Sequence, residues 1–505
     1  MINTIFKSRS FLLIGLLCFA AFSPVLRGEF KTMDDEFTIV TNSDLRSVKS
    51  LPGIFSIGYF KSARDYYRPL TVTSYLVENL IFGLDAFFFN LDNILLHILN
   101  AWLVFLIAGL ILDDRRKAWW VSLLYGVHPL HWEAVGNISG RAILLCAVFT
   151  LAAFFFFLKY VKEEKSRNLW MAGACFVLGL FSKESAGVLI LVLPFYLVVM
   201  RRRNWGALLP FAGIMLAYFI WRKYLGLTHL YPWRNFQELF LGFTTFINGV
   251  FVYMRLIVMP AGLYFDRSVP LLISLKAPAV PVTWAVYLAG VAGLWLARRR
   301  LSLIVIFCIG WFFIELLPVS QIVTSIGVQS GRLSLAEHFL YMALVPACIL
   351  MVLAVDKIVE EVLARGIMRR EFIRIAAWGV VAMFMVTAQQ QSFYASNEAA
   401  MIKQSLAADP YNARLQFALG RRYVLKDDFA SAERHFRMAS GLDPAVASFR
   451  ISWGRSIADQ GRYDEALAVY EQIKDPGGFA ELLKDNMASA RQLREENKNA
   501  SSVPR

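Results

Sequence analysis

Apolar residues run along the chain in continuous blocks of about 20, the length a helix needs to cross the hydrocarbon layer, with short charged stretches between them. The blocks do not alternate apolar with polar, so they predict membrane helices and exclude a barrel. The first covers roughly residues 9–26. Others fall near 93–112, 118–132, 141–160, 168–182, 185–200, 205–222, 236–260, 281–297, 301–319, 336–355 and 372–388, giving 11 or 12 spans. Between residues 27 and 91 the pattern predicts an external loop, whose piece "LTVTSYLVENLIFGLDAFFF" reads as an amphipathic segment along the interface.

From Ser392 onward the pattern becomes that of soluble helices. With Pro444 at the last position of a 34-residue tetratricopeptide motif, Gly420, Tyr423, Ala432, Phe436 and Ala439 fall on its small and aromatic positions. The register continues through Gly454, Gly461, Tyr463, Ala466 and Tyr470. Small residues let paired helices approach while aromatics fill the gaps between them. The expected organisation is a transmembrane domain over 1–391, a short repeat superhelix over 392–495 with a last helix near 479–495, and a disordered tail over 496–505.

Composition agrees with that reading, since 57% of the 505 residues are hydrophobic. A net charge of +14 would suggest nucleic acid in a soluble protein. Here the basic clusters "DDRRK", "KEEKSR" and "RRR" separate apolar blocks and read as cytoplasmic anchors; no nucleic-acid partner is expected. Lys7 and Arg9 likewise put the N-terminus in the cytoplasm, with the first apolar run a retained anchor because no small-x-small cleavage site follows it. Strict alternation would put Arg298 to Arg300 outside, so one run between 205 and 300 is expected to be re-entrant or interfacial. The five cysteines lie inside apolar runs without a CxxC pair and read as packing residues.

Polar groups gather in stretches assigned to the non-cytoplasmic side. "KTMDDEFTIV" holds Asp34, Asp35 and Glu36. "HPLHWEAVGNISGR" holds His128, His131, Glu133 and Arg141. "RLSLAEHFLYMA" holds Arg332, Glu337, His338 and Tyr341, while "YYRPLT" adds Tyr67 and Arg68 and "FSKES" adds Lys183 and Glu184. Taken singly each has a plain explanation: the acids as helix caps, Lys183 and Glu184 as a paired turn. His128, His131 and Glu133 lack the HExxH spacing and sit astride a proline, which disfavours a metal without excluding a divalent ion. Together they suit transfer of a sugar from a lipid phosphate. A carboxylate takes the proton of an attacking hydroxyl, and cations hold the departing phosphate.

"MDDEFTIVTNSDLR", "YYRPLTVTSYL", "LDNILLHILN", "HPLHWEAVGNISGR", "FSKES" and "AEHFLYMA", in that order before the repeats, resemble the transmembrane and tetratricopeptide repeat containing proteins, which are similar to protein O-mannosyltransferases. The resemblance implies an all-α, polytopic GT-C glycosyltransferase. It would move a sugar from a polyprenyl or dolichyl phosphate carrier to a hydroxyl on the non-cytoplasmic side, with no other certain cofactor.

By position, Asp34 or Asp35 would be the base. Glu36, Tyr67, Arg68, His128, His131 and Glu133 would support it or line the acceptor site. Arg141, Lys183, Arg332, Glu337, His338 and Tyr341 would serve the lipid phosphate. Relatives usually carry arginine where this chain has His338, so the phosphate duty would pass to His338 or Arg332. The short repeat domain looks bacterial, implying an undecaprenyl carrier, the inner membrane and periplasmic repeats that hold a protein or peptide acceptor. A glycolipid or polysaccharide acceptor, and a non-catalytic repeat scaffold, are the competing readings.

Overall fold

The computed structural model describes residues 9–56, 66–227, 235–322, 328–329 and 331–501. It is helical almost throughout and divides into two compact units. The first comprises Met1–Leu263, Val269–Gly327 and Leu333–Asn397. Its longer helices are α1 (Arg9–Phe22), α2 (Pro69–Phe82), α3 (Ala86–Leu112), α4 (Arg115–Val127), α5 (Arg141–Glu163), α6 (Ser166–Ser182) and α7 (Leu189–Val199). After them come α8 (Leu209–Tyr224), α9 (Phe236–Val258), α10 (Ala279–Ala297), α11 (Leu303–Glu315), α12 (Leu344–Ala364) and α13 (Arg370–Ser396).

Six of the described helices are long and apolar enough to cross a membrane (α3, α5 with the turn before it, α8 with the turn before it, α9, α10 and α13), and three shorter apolar segments accompany them. The first unit is therefore that of a multi-pass membrane protein. Its centre is α5, which packs along α3 and α6, while α3 also packs along α4 and α1.

Helix starts follow side-chain chemistry. Asp85 accepts the Phe87 N–H at 2.9 Å and opens α3. Asp114 accepts from Arg116 and Lys117 at 2.9 and 3.1 Å and opens α4, satisfying amides that have no partner within the helix.

Two boundaries differ from the sequence expectation. The stretch after residue 69 is not one interfacial segment: α2 stops at Gly83 and α3 begins at Ala86, seven residues before the expected span. The helix expected at 372–388 continues through Ser392 to Ser396, so the first unit ends at Asn397.

The second unit comprises Tyr264–Ser268, Val328–Arg332 and Glu398–Arg505. It contains α14 (Glu398–Ala408), α15 (Ala413–Val424), α16 (Phe429–Leu442), α17 (Ala447–Ala458), α18 (Tyr463–Glu471) and α19 (Ala480–Ser501), each packed on the next. The 34-residue register recurs as a repeated contact. A methyl on Gly420 would lie 2.6 Å from the Phe436 ring, and Gly454 faces Tyr470 in the same way. Only a residue without Cβ lets these helix pairs close. The tail expected to be unstructured from 496 is helical to Ser501; residues 502–505 lie outside the described part. Strand is confined, among the described residues, to a three-stranded patch in the order β1 (Ser268–Pro270), β3 (Arg332–Ser334), β2 (Val328–Gln329).

Candidate functional site

One segment, residues 128–141, organises the polar groups of the first unit. It links α4 to α5 through short helical turns and is almost wholly buried. Buried backbone must find partners, and here four consecutive carbonyls do. Val135 and Asn137 accept from the Asn93 amide at 3.4 and 2.8 Å. Gly136 accepts from Lys31 Nζ at 2.6 Å, and Ile138 from the Tyr75 hydroxyl at 3.1 Å. A Cβ on Gly140 would overlap the Ala134 carbonyl, so the turn requires glycine there.

The acidic loop docks on this segment. Asp35 is buried; its Oδ2 accepts the Lys31 N–H at 2.9 Å and its Oδ1 the Ser139 N–H at 3.0 Å. Burial pushes its carboxyl up to about 6, against the pull of the Lys31 charge and these donors. Asp34 is half-buried, and among the described residues its carboxylate has no hydrogen-bond or ion-pair partner; its carbonyl accepts the Thr38 hydroxyl at 2.8 Å. Glu36 opens the π-helical turn Glu36–Val40.

Further along, Glu133 is buried against His338. Its Oε1 lies 3.0 Å from His338 Nδ1 and its Oε2 accepts the His338 backbone N–H at 2.9 Å. Burial alone would raise this carboxyl, but His338 and the backbone donors hold it below the ordinary range. Glu337 accepts the Trp132 indole N–H at 2.7 Å. Thus the third polar stretch joins the second side by side.

The remaining expected residues of the first unit divide into three settings. Arg141, fully buried, donates to Glu78 at 2.6 Å, to Asn93 at 2.8 Å and to the Phe89 carbonyl at 2.8 Å, and pairs with Asp92 at 3.0 Å. Its guanidinium already faces two carboxylates. His131 and Tyr341 lie in a buried aromatic group with His97 and Tyr125, where the Tyr341 hydroxyl meets His97 Nδ1 at 2.8 Å and accepts from Asn100 at 3.1 Å. His128 Nε2 donates to the Ile257 carbonyl at 3.0 Å and its Nδ1 accepts the Leu130 N–H, so both ring nitrogens are engaged.

A third group sits at the ends of α2 and α6. Arg68 grips Glu184 through two N–H groups at 2.7 and 3.2 Å. Burial would raise Glu184, but Arg68, with Lys183, holds it down to about 2. Lys183 forms no hydrogen bond or ion pair through its ammonium among the described residues. Burial and the Arg68 charge lower it to about 8, against attraction from Glu184 and, more weakly, Glu133. Tyr67 donates to the Phe55 carbonyl at 2.8 Å and accepts the Trp221 indole at 2.9 Å, a packing role.

Arg332 belongs to the second unit, where it pairs with Asp409 at 2.6 Å and donates to Ser268. Among the described residues, no group of three or more His, Cys, Asp or Glu is arranged to hold a metal ion.

Lys31, Glu78, Asn93 and His97 were not singled out from the sequence. The available signal was the polar stripe Asn93, His97, Asn100, which shares one face of the otherwise apolar α3.

The fold and this site define a multi-pass helical membrane protein with acids and a spare cation gathered at helix ends. Residues 74–222, from α2 to near the end of α8, match the family described as dolichyl-phosphate-mannose-protein mannosyltransferase. Over 87% of its length the chain is 24% identical to the Protein O-mannosyl-transferase Tmtc3 of Drosophila melanogaster, covering 56% of that protein. Over 33% of its length it is 35% identical to the Protein O-mannosyl-transferase TMTC1 of Mus musculus, covering 18% of it. The chain thus spans about half, or less, of these curated relatives. Among solved structures it is similar to the Archaeoglobus fulgidus oligosaccharyltransferase tethered to an acceptor peptide, at 14% identity and a TM-score of 0.42 over 82% of this chain and 59% of that one.

Proposed function

We propose that the chain is a membrane glycosyltransferase of GT-C type, moving a sugar from a polyprenyl phosphate carrier to a serine or threonine hydroxyl of a polypeptide. The reaction takes place on the non-cytoplasmic side. The observation that carries this reading is that a carboxylate, Asp34, and an ammonium, Lys183, each stand without a hydrogen-bond or ion-pair partner among the described residues. The match of residues 74–222 and the names of the relatives support it.

In this reading Asp34 takes the proton of the acceptor hydroxyl. Its oxygen then bonds to the anomeric carbon from the face opposite the phosphate, and the carbon–oxygen bond to the phosphate breaks with its electron pair. The configuration inverts. Lys183 offsets the charge gathering on the phosphate, which leaves without protonation. The repeat unit presents the acceptor as an extended chain along its stacked helices.

The test is sugar transfer by the purified protein from polyprenyl-phosphate mannose to a Ser/Thr-rich peptide, with Asp34→Asn alongside. We expect a loss of turnover of about a thousandfold or more. Native-level transfer by Asp34→Asn would remove Asp34 from the base role. Transfer to glycolipid but not to peptide would move the acceptor to another class.

A further inference from the structure

The loop that carries Asp34 contains a second carboxylate with a different fate. Asp35 is 1% exposed, and each of its oxygens already accepts a backbone N–H. A substrate hydroxyl has no route to it. Lys31 crosses the same joint in the opposite direction, its Nζ reaching the Gly136 carbonyl at 2.6 Å. Two side chains from the first loop therefore clasp one N–H and one C=O of the 136–139 turn, about a hundred residues away in sequence. Asp34 stands between these anchors, with its own carbonyl held by Thr38. Its remaining freedom is confined to the side-chain torsions.

We propose that Asp35 and Lys31 form a latch that seats the first loop on the 136–139 turn and so fixes the direction of the Asp34 carboxylate; Asp35 is a positioning residue and not the base. The latch stands on geometry alone; only its effect on turnover rests on the transfer reading above. The latch is charge-dependent. Both Asp35 oxygens accept in the closed latch, and opening it would return the carboxyl to water, where the ionised form is favoured. The charged groups that act on Asp35 are Lys31 and Asp34, both from its own loop. The facing turn presents backbone only, its flanking charges Glu133 and Arg141 being paired with His338 and with Glu78 and Asp92. Burial raises the Asp35 carboxyl to about 6 in the closed latch, so the closed form holds its proton more tightly than an open, solvated one and the latch weakens as pH rises toward 6.

Amide hydrogen exchange at Ser139 in the full-length protein in nanodiscs reads the latch directly. In Asp35→Asn the side-chain amide turns a donor toward one of the two N–H groups, so Ser139 exchange should quicken about tenfold or more. Lys31→Met should also quicken exchange at Ser139, and Asp34→Asn should leave it unchanged. In the native protein, protection of Ser139 relative to Gly140, whose N–H bonds to Asn137, should fall as pH rises from about 4 toward 6; this arm needs no variant to fold.

For turnover, Asp35→Asn should lower kcat about 10- to 100-fold with KM for the lipid donor little changed. Unchanged Ser139 exchange in Asp35→Asn, or a flat native ratio between about pH 4 and 6, overturns the latch. Lost turnover with unchanged exchange would make Asp35 the base instead. If the native protein transfers no sugar, the exchange data still decide the latch while the transfer reading fails alone.

Discussion

Arg141 and Lys183 are both cations at the ends of membrane helices, and both belong to stretches that look like phosphate ligands in the sequence. Their surroundings separate them. Arg141 is enclosed by Glu78, Asp92, Asn93 and the Phe89 carbonyl, so the clamp carries more negative than positive charge. At the other site Arg68 spends its charge on Glu184 and leaves Lys183 over. An anion entering the first site would have to displace two carboxylates; at the second it meets a surplus cation. The charge left after internal pairing, and not the residue type, decides which site can take a phosphate.

The comparison breaks most readily at the clamp. Arg141→Gln leaves Glu78 buried without its counter-charge, and we expect a loss of about 3 to 5 kcal/mol of stability, read by denaturant unfolding in detergent. Arg141→Lys should recover little of it, because a single ammonium cannot span the four acceptors that the planar fork reaches.

Lys183→Met should do the reverse. Stability should stay within about 1 kcal/mol of native, while kcat/KM for the lipid donor falls about a hundredfold. Because the folded Lys183 sits at about 8, below the ordinary 10.5, its charge is present below pH 8 and lost as pH rises through it. The rate should fall along that limb, and Lys183→Arg should push the limb upward by more than a pH unit. A limb that stays at pH 8 in Lys183→Arg would return the phosphate role to another cation.

The smallest effect is expected at Arg332. Arg332→Ala removes a partly buried pair with Asp409 and should cost the second unit about 1 kcal/mol, with donor KM unchanged. A tenfold rise in donor KM would restore Arg332 to the phosphate site.

Much of the fold was legible in the chain because its causes are local. Continuous apolar runs gave the membrane helices, and the 34-residue spacing anticipated the contacts of Gly420 with Phe436 and Gly454 with Tyr470. Errors arose where a boundary depends on one residue, as at Gly83, which ends α2 in the middle of an apolar stretch.

The site was legible as a set of motifs but not as a division of labour. Asp34 and Asp35 are identical in type and adjacent, and what separates them is the Ser139 amide, which no local pattern announces. Arg141 looked available for a ligand because its partners, Glu78 and Asp92, lie on helices some fifty to sixty residues earlier. Lys31, within the acidic stretch itself, drew no notice because its partner is a main-chain carbonyl.

The 128–141 segment also sets the order in which the protein can be completed during synthesis. Its partners Lys31, Asp35, Tyr75 and Asn93 precede it in the chain and are already made when it emerges. Its partners for Trp132 and Glu133 lie 205 residues later. Until α11 has been made and residues 337 and 338 arrive, the Glu133 carboxylate lacks its direct partner His338 in its buried seat. The nascent chain therefore passes through a long interval with its central joint half-closed, exposed to quality control until residues 337 and 338 follow.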